Sequence, residues 1–536
     1  MNAMSPVRTP ANPGRSWMLG LAVLVAMAGV VWFYFWTVQS ATSTVALTGQ
    51  KSDYYNLLVD GFEDGHLYMK VEPDPRLLAL PPEQRPGDAP FKLDASLYAG
   101  HYYLYFGVAP VVVLDLPYAL LTGHDLPEAV AGVVFMAMGF ALAVSCWLAV
   151  RREFFPRLAG IWTVLGVLAL GLCTAAPSAL RRPMFYEVAI GAGYAFSMLA
   201  LWAVARAWRR PRQGYGWLAL AGVAVGLAVG SRANLAPAGL VLLCAGAAGA
   251  MRHVAGGRAR GRRLFLALLA AGAGAGGIGA GLAGYNYARF GDVAEFGHHH
   301  QLGTNPKQMF RAENLRYNLG LYYFKPPALN GYFPFVAPAD EEKKPSDYVG
   351  REHVHGEWIW TWLAAVGLLA GVFAITKRRE APTLRWLGWL ALPGILFGVN
   401  AVVVGLTGVR SNRYMLDFHP ALVLATLVLL AAGLVLHGWR GRVVKVAFAT
   451  LLPLALVFNV LASLQVHGFF RATAPLTFAR LAAWADGAVW PWLSSEASAV
   501  GDREVTIRWP AGVTDGRREP LLSAGTKDFR DVLFVD

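Results

Sequence analysis

Trp17-Met-Leu-Gly-Leu-Ala-Val-Leu-Val-Ala-Met-Ala-Gly-Val-Val-Trp-Phe-Tyr-Phe-Trp36 contains no charged side chain. A helix needs about 20 such residues to cross a hydrocarbon core. The run ends in Phe33-Tyr-Phe-Trp36, an aromatic belt, rather than in a small-x-small cleavage site. It therefore reads as a retained membrane span, not a cleaved signal peptide. Composition agrees over the whole chain of 536 residues. Hydrophobic residues make up 56% and mean hydropathy is +0.41, against about 45–50% apolar content in soluble proteins. Cys146, Cys173 and Cys244 all lie inside apolar runs. They suggest small hydrophobes, with neither a disulfide framework nor a zinc site.

Ten further apolar runs follow, at 126–150, 157–176, 186–208, 216–231, 234–251, 264–286, 358–376, 384–407, 414–436 and 443–466. Residues Tyr102 to Thr122 are a twelfth candidate, whose inclusion would invert everything after it. Charge decides between the two arrangements. With eleven spans and a cytoplasmic N-terminus, one side collects Arg8 and Arg15, Arg151, Arg152 and Arg157, and Arg206, Arg209, Arg210 and Arg212. It also collects Arg252, Arg258, Arg260, Arg262 and Arg263, Lys377, Arg378, Arg379 and Arg385, and Arg440, Arg442 and Lys445. Only Glu153 and Glu380 oppose them, as expected of cytoplasmic loops. These loops account for the net charge of +13, so no nucleic-acid partner is implied. Tyr102 to Thr122 then lies on or dips into the outer face, with Gly107, Pro110 and Pro117 suiting a broken interfacial helix.

The predicted fold is an all-α polytopic membrane protein of about eleven transmembrane helices. Residues 1–16 form a cytoplasmic N-terminus, and 17–466 the transmembrane domain with outer loops at 40–125 and 287–357. Residues 467–536 form an outer-face appendage expected to be small and β-rich, because Glu504-Val-Thr-Ile-Arg-Trp509 alternates like a strand. Ala271-Gly-Ala-Gly-Ala-Gly-Gly277 sits inside a span. Its small residues predict close helix packing, and no strand precedes it to make a dinucleotide-binding turn.

The polar residues gather at outward helix ends, where an expensive group marks function. Ser52-Asp-Tyr-Tyr-Asn-Leu-Leu-Val-Asp60-Gly-Phe-Glu-Asp64 places Asp53, Asn56, Asp60 and Asp64 on one helical face. Asp60, Glu63 and Asp64 read as a solvated face. Asp53, nearest the membrane, is either a helix cap or a functional carboxylate. Asp94-Ala-Ser-Leu-Tyr-Ala-Gly-His-Tyr-Tyr-Leu-Tyr-Phe-Gly-Val-Ala-Pro110 brings Tyr98, His101, Tyr102, Tyr103 and Tyr105 to the same side. They suit interfacial anchoring or stacking on a lipid-linked sugar.

An acid soon after the first span, Gly65-His-Leu-Tyr68, Tyr102-Tyr-Leu-Tyr-Phe-Gly-Val-Ala-Pro110, and a span ending in Arg151-Arg152 together resemble the GT-C glycosyltransferases. Gly226-Leu-Ala-Val-Gly-Ser-Arg-Ala-Asn234, Tyr285-Asn-Tyr-Ala-Arg-Phe-Gly291 and Arg413-Tyr-Met-Leu-Asp-Phe-His-Pro420 continue the resemblance. It covers about residues 15 to 470; the family includes the aminoarabinose and protein O-mannosyl transferases, and the resemblance is greatest toward its bacterial dolichyl-phosphate-mannose-mannosyltransferase-like members. Many relatives carry two adjacent acids after the first span. Here Tyr54 follows Asp53, so the catalytic role carries over to Asp53 alone.

The resemblance implies a bacterial inner-membrane enzyme, with its C-terminus outside the cytoplasm. Such an enzyme moves a sugar from a polyprenyl-phosphate donor to a hydroxyl on a glycan, lipid or protein acceptor, with inversion. Asp53 would be the base. Arg413, then Arg410 and Arg232, would hold the departing phosphate, with Arg181, Arg182, Arg289 and Lys325 in reserve. Tyr54, Asp94, Tyr102, Tyr103 and Tyr414 would face the sugar or lipid. No cofactor is expected. His298-His-His300 tempts as a metal site, but successive side chains diverge, so no metal ligand is assigned. The competing expectations are a polysaccharide polymerase or ligase and a lipid-linked-sugar transporter, whose coupling sites would lie mid-span.

Overall fold

The structure is a computed structural model that describes residues 13–41, 53–210, 213–250, 258–302, 310–329, 331, 333–339, 344–345, 348, 350–376 and 385–493. Each predicted apolar run forms a helix. In order these are Pro13–Ala41, Glu128–Phe154, Gly160–Leu172, Phe185–Arg209, Gly214–Ser231, Ala236–Ala250, Arg258–Phe290, Trp358–Thr376, Arg385–Gly405, His419–Leu434 and Gly438–Gln465. Among the described residues, nine helices are long and apolar enough to cross a membrane. The architecture is that of a multi-pass helical membrane protein.

Gly160–Leu172 and His419–Leu434 are shorter than the runs that predicted them. The first stops before Pro177, which starts the separate turn Ala176–Leu180. The second begins at His419 because Pro420, lacking an N–H, fits only the first turn of a helix. Residues 412–417 ahead of it form a tight 3₁₀ turn. That turn replaces membrane-spanning helix with irregular backbone that carries polar side chains.

Small residues set the helix contacts as expected. A Cβ on Gly222 would lie 2.0 Å from the Ala271 carbonyl oxygen, and one on Gly274 would lie 2.1 Å from that of Ala219. Gly214–Ser231 and Arg258–Phe290 therefore touch backbone to backbone.

The described parts of the two long loops, 40–125 and 287–357, are stitched together at one end of the bundle. In the first, Tyr54–Glu63 is helical, and Ala95–Tyr98 pairs antiparallel with His101–Leu104, Ala95 opposite Leu104 and Tyr98 opposite His101. The second loop adds to this hairpin: Ser96 Oγ donates to Gly297 O at 2.7 Å and Leu302 N to Ala95 O at 3.1 Å. Farther on, Gly350–Arg351 runs parallel to Val409–Arg410.

Two expectations change. Tyr102 to Thr122 is not one broken helix: Tyr102 to Leu104 belong to the strand, and only Val111–Thr122 is helical, the strand being fixed by its hairpin partner. Asn56, which shares a helical face with Asp60 and Asp64, is buried. The described start of the appendage is helical, as Phe469–Thr473 and Pro475–Leu493. It docks on the first span through Phe470 against Trp36, with ring centroids 5.5 Å apart, and Thr473 Oγ1 to Ser40 O at 2.6 Å. The strand-like Glu504 to Trp509 lies outside the described residues.

Candidate active site

Consecutive spans bring Asp53, Glu128, Glu187, Arg232, Glu352, Arg413 and Asp417 to one end of the bundle. Arg151, Arg152, Glu153 and Arg209 sit at the other, where Arg209 pairs with Glu153 at 2.8 Å.

Asp53 occupies the N-cap of Tyr54–Glu63 with extended backbone, but its side chain makes no capping bond. Glu128, the first residue of its helix and 7% exposed, does so instead: Oε1 accepts the Tyr55 N–H at 3.3 Å. Asp53 and Glu128 are close enough for their charges to interact, and Lys92 is near both, with Nζ 5.0 Å from the Tyr54 ring centre. Burial lowers the Lys92 pKa while the two carboxylates oppose the shift. The result is a carboxylate pair with one partly buried cation.

An aromatic wall leads from this pair to a cluster of guanidinium groups. Tyr54 stacks on Phe185 at 4.1 Å, and Phe185 lies 4.0 Å from Tyr186. Burial, with Asp94 and Glu128 nearby, raises the Tyr54 pKa. The Tyr186 hydroxyl donates to Asp94, whose other oxygen accepts from Gln301 Nε2 at 2.9 Å. Asp94 sits at φ +57°, a left-handed position at the mouth of the hairpin.

Arg413 stands 4.4 Å over the Tyr186 ring. It pairs with Glu187 at 3.3 Å and Glu352 at 2.9 Å, and Arg182 shares Glu352 at 3.4 Å. Burial works against its charge, but Glu187 and Glu352 outweigh burial and raise the Arg413 pKa further. Arg232 pairs with Asp417 at 2.8 Å. Both guanidiniums flank one ring, Tyr414, at 5.4 Å for Arg232 and 5.8 Å for Arg413. Arg410 donates to the Glu352 carbonyl at 3.1 Å and to the Tyr317 hydroxyl. All three arginines singled out from the sequence are thus held by named partners, and among the described residues Arg413 Nε is buried without an acceptor.

No family model matches the chain, and no curated protein does. Two solved structures are similar to it. One is ArnT from Cupriavidus metallidurans bound to undecaprenyl phosphate, with 15% identity, TM-score 0.41 and coverage of 90% of this chain and 80% of that one. The other is the same protein in the apo state, with 15% identity, TM-score 0.42 and coverage of 86% and 77%.

The remaining expected residues divide by role. Tyr102 and Tyr103 build the loop core: the Lys92 N–H donates to the Tyr102 hydroxyl at 3.3 Å, and Tyr103 packs against Phe290 at 5.2 Å. Arg181 is fully buried and ties helix ends together, donating to Ser463 O, Thr37 O and Ser40 Oγ. Arg289 holds the hairpin through Leu104 O at 3.2 Å. His298 and His299 diverge, with ring planes 68° apart. His299 pairs with Glu295, and His300 stacks on Phe290. Among the described residues, no group of three or more His, Cys, Asp or Glu is arranged to hold a metal ion.

Sequence reasoning missed Glu128, Glu187, Glu352 and Asp417, the acids that organise the cluster. For Glu128 and Glu187 a signal was present. Each opens an apolar run with no other acid inside it, and a lone carboxylate beside a membrane core is costly unless used.

Proposed function

We propose that the chain is an integral-membrane glycosyltransferase of GT-C type. It moves a sugar from a polyprenyl-phosphate donor to an acceptor hydroxyl on the outer face of a bacterial inner membrane. The positive-inside distribution of Arg and Lys supports that orientation, with the N-terminus cytoplasmic. The observation that carries the reading is the juxtaposition, at one helix-end face, of the Asp53–Glu128 carboxylate pair and the Arg232–Arg413 guanidinium pair around Tyr414.

The chemistry follows from these two groups. The acceptor oxygen bonds to the anomeric carbon as Asp53 removes its proton, while the bond from that carbon to the phosphate oxygen breaks. The electron pair leaves with the phosphate, whose negative charge grows. Guanidiniums fixed beforehand by Asp417, Glu187 and Glu352 meet that charge with little reorganisation. Attack opposite the phosphate inverts the anomeric centre. The faces of Tyr54, Tyr186 and Tyr414 offer stacking surface for sugar and prenyl chain, and Asp94 sits beside Tyr186 to accept sugar hydroxyls.

Reconstitution in liposomes with a set of polyprenyl-phosphate sugars tests this. Wild type should transfer sugar, and Asp53→Asn should lower the rate by about 10²–10⁴-fold. Full transfer by both Asp53→Asn and Arg413→Ala would remove the site. A wild type that transfers nothing but carries lipid-linked sugar across the bilayer would make the protein a transporter.

A further inference from the structure

The first N–H groups of a helix have no partner within it and must find acceptors. In Tyr54–Glu63 the N-cap carboxylate, Asp53, does not supply one. Glu128 reaches in from another element and accepts the Tyr55 N–H at 3.3 Å across 73 residues of sequence. Around Glu128 stand Asp53, Asp115 from Val111–Thr122, Lys92 from the loop, and Tyr54 and Tyr55, with Arg232 acting on Tyr55 from the guanidinium side. Glu128 is thus a buried acid facing a second acid at the very point where the helix begins. Two carboxylates so placed ionise together only at a cost.

We infer that Glu128 is a positioning residue, which caps Tyr54–Glu63 in place of Asp53 and fixes the backbone from which Asp53 projects. The part played by Asp53 is that of the proposed function, whereas the capping bond stands independently of it. A bond at the helix start acts on geometry, and substitution isolates it: Gln keeps the acceptor oxygen, and Ala removes it.

Amide hydrogen exchange and transfer kinetics on the full chain in nanodiscs, using a polyprenyl-phosphate sugar as probe, make the test. Glu128→Ala should speed exchange across Tyr54–Glu63 and lower kcat about tenfold or more, with KM moving less than about threefold. Glu128→Gln, which keeps the acceptor oxygen, should restore exchange protection and most of kcat. Wild-type exchange and kcat in Glu128→Ala would overturn the assignment, as would a Glu128→Gln variant that behaves like Glu128→Ala. Should wild type transfer nothing, or Asp53→Asn and Arg413→Ala both transfer at full rate, the proposed function fails. The exchange comparison then still decides whether Glu128 caps the helix.

Discussion

Arg232 and Asp417 meet at 2.8 Å although 185 residues separate them, and Asn234 Nδ2 adds a bond to the same oxygen at 2.9 Å. Arg232 stands where Gly214–Ser231 ends, and Asp417 where the 3₁₀ turn hands over to His419–Leu434. The pair therefore closes one side of the guanidinium cluster. The Asp417 side chain is wholly buried, and removing one partner of a buried pair leaves an uncompensated charge, at a cost of about 3–5 kcal/mol. Asp417→Asn should lower the thermal midpoint in detergent. The double variant Arg232→Gln/Asp417→Asn should recover part of the loss, and a double-mutant cycle reads the coupling. Additive losses would mean that the pair is not formed.

Arg413 is the hub on the other side, spanning Glu187 and Glu352 with two nitrogens while facing the Tyr186 ring. A lysine ammonium is a point charge that cannot bridge two acids and stack at once. Arg413→Lys should therefore cut kcat/KM for polyprenyl-phosphate sugar about tenfold or more. Arg440→Lys at the opposite end of the bundle should leave it unchanged. Equal behaviour of the two variants would reduce Arg413 to a topology-setting charge.

The helices were legible because apolar runs of span length have one outcome in a bilayer, as Trp17 to Trp36 shows. Asp53, Arg232 and Arg413 stood out because polar groups at helix ends contrast with apolar sequence, and the structure places all three at one end of the bundle. Their partners were harder to see. Glu187 finds Arg413 across 226 residues, and no local pattern encodes such a meeting. The burial of Asn56 was not legible either. Helical spacing puts it on the face of Asp60 and Asp64, but it lies 1% exposed beneath the folded loop, and what covers a face is a tertiary matter.

Glu357 should make stability depend on pH. It is 4% exposed just ahead of Trp358–Thr376, and burial pushes its carboxyl from 4.5 up to about 8, with the bond from Asn459 Nδ2 at 3.1 Å working against the shift. Between those values the folded chain holds a proton that the unfolded chain has released. Stability therefore falls as pH rises from about 4.5 to about 8. Glu357→Gln mimics the neutral acid, so it should match wild type near pH 5 and exceed it near pH 8.5, by an amount on the order of a few kcal/mol. Thermal midpoints across that range decide the matter, and parallel curves for the two proteins would refute it.

Gly107 joins the first loop to the site. A Cβ there would lie 1.9 Å from the Gly230 carbonyl oxygen and 2.7 Å from Ser231 Cα, and the Gly107 N–H donates to Ser231 O at 3.3 Å. The opposing atoms are backbone and cannot rotate away, so Gly107→Ala must push the loop off the helix end. Overpacking of this kind costs about 1–3 kcal/mol. The displaced residues adjoin Arg232, and a shift of about 1 Å can cost up to about a hundredfold in rate. Gly216→Ala, in the same helix but with open space around its Cβ, should instead hold or gain stability, since alanine favours a helix by up to about 1 kcal/mol. Thermal midpoint and transfer rate measured on both variants separate the two cases. If Gly107→Ala behaves like Gly216→Ala, the loop does not rest on Gly230, and the route by which Asp53 and Arg232 are held in one site must run through the Tyr54–Phe185–Tyr186 wall alone.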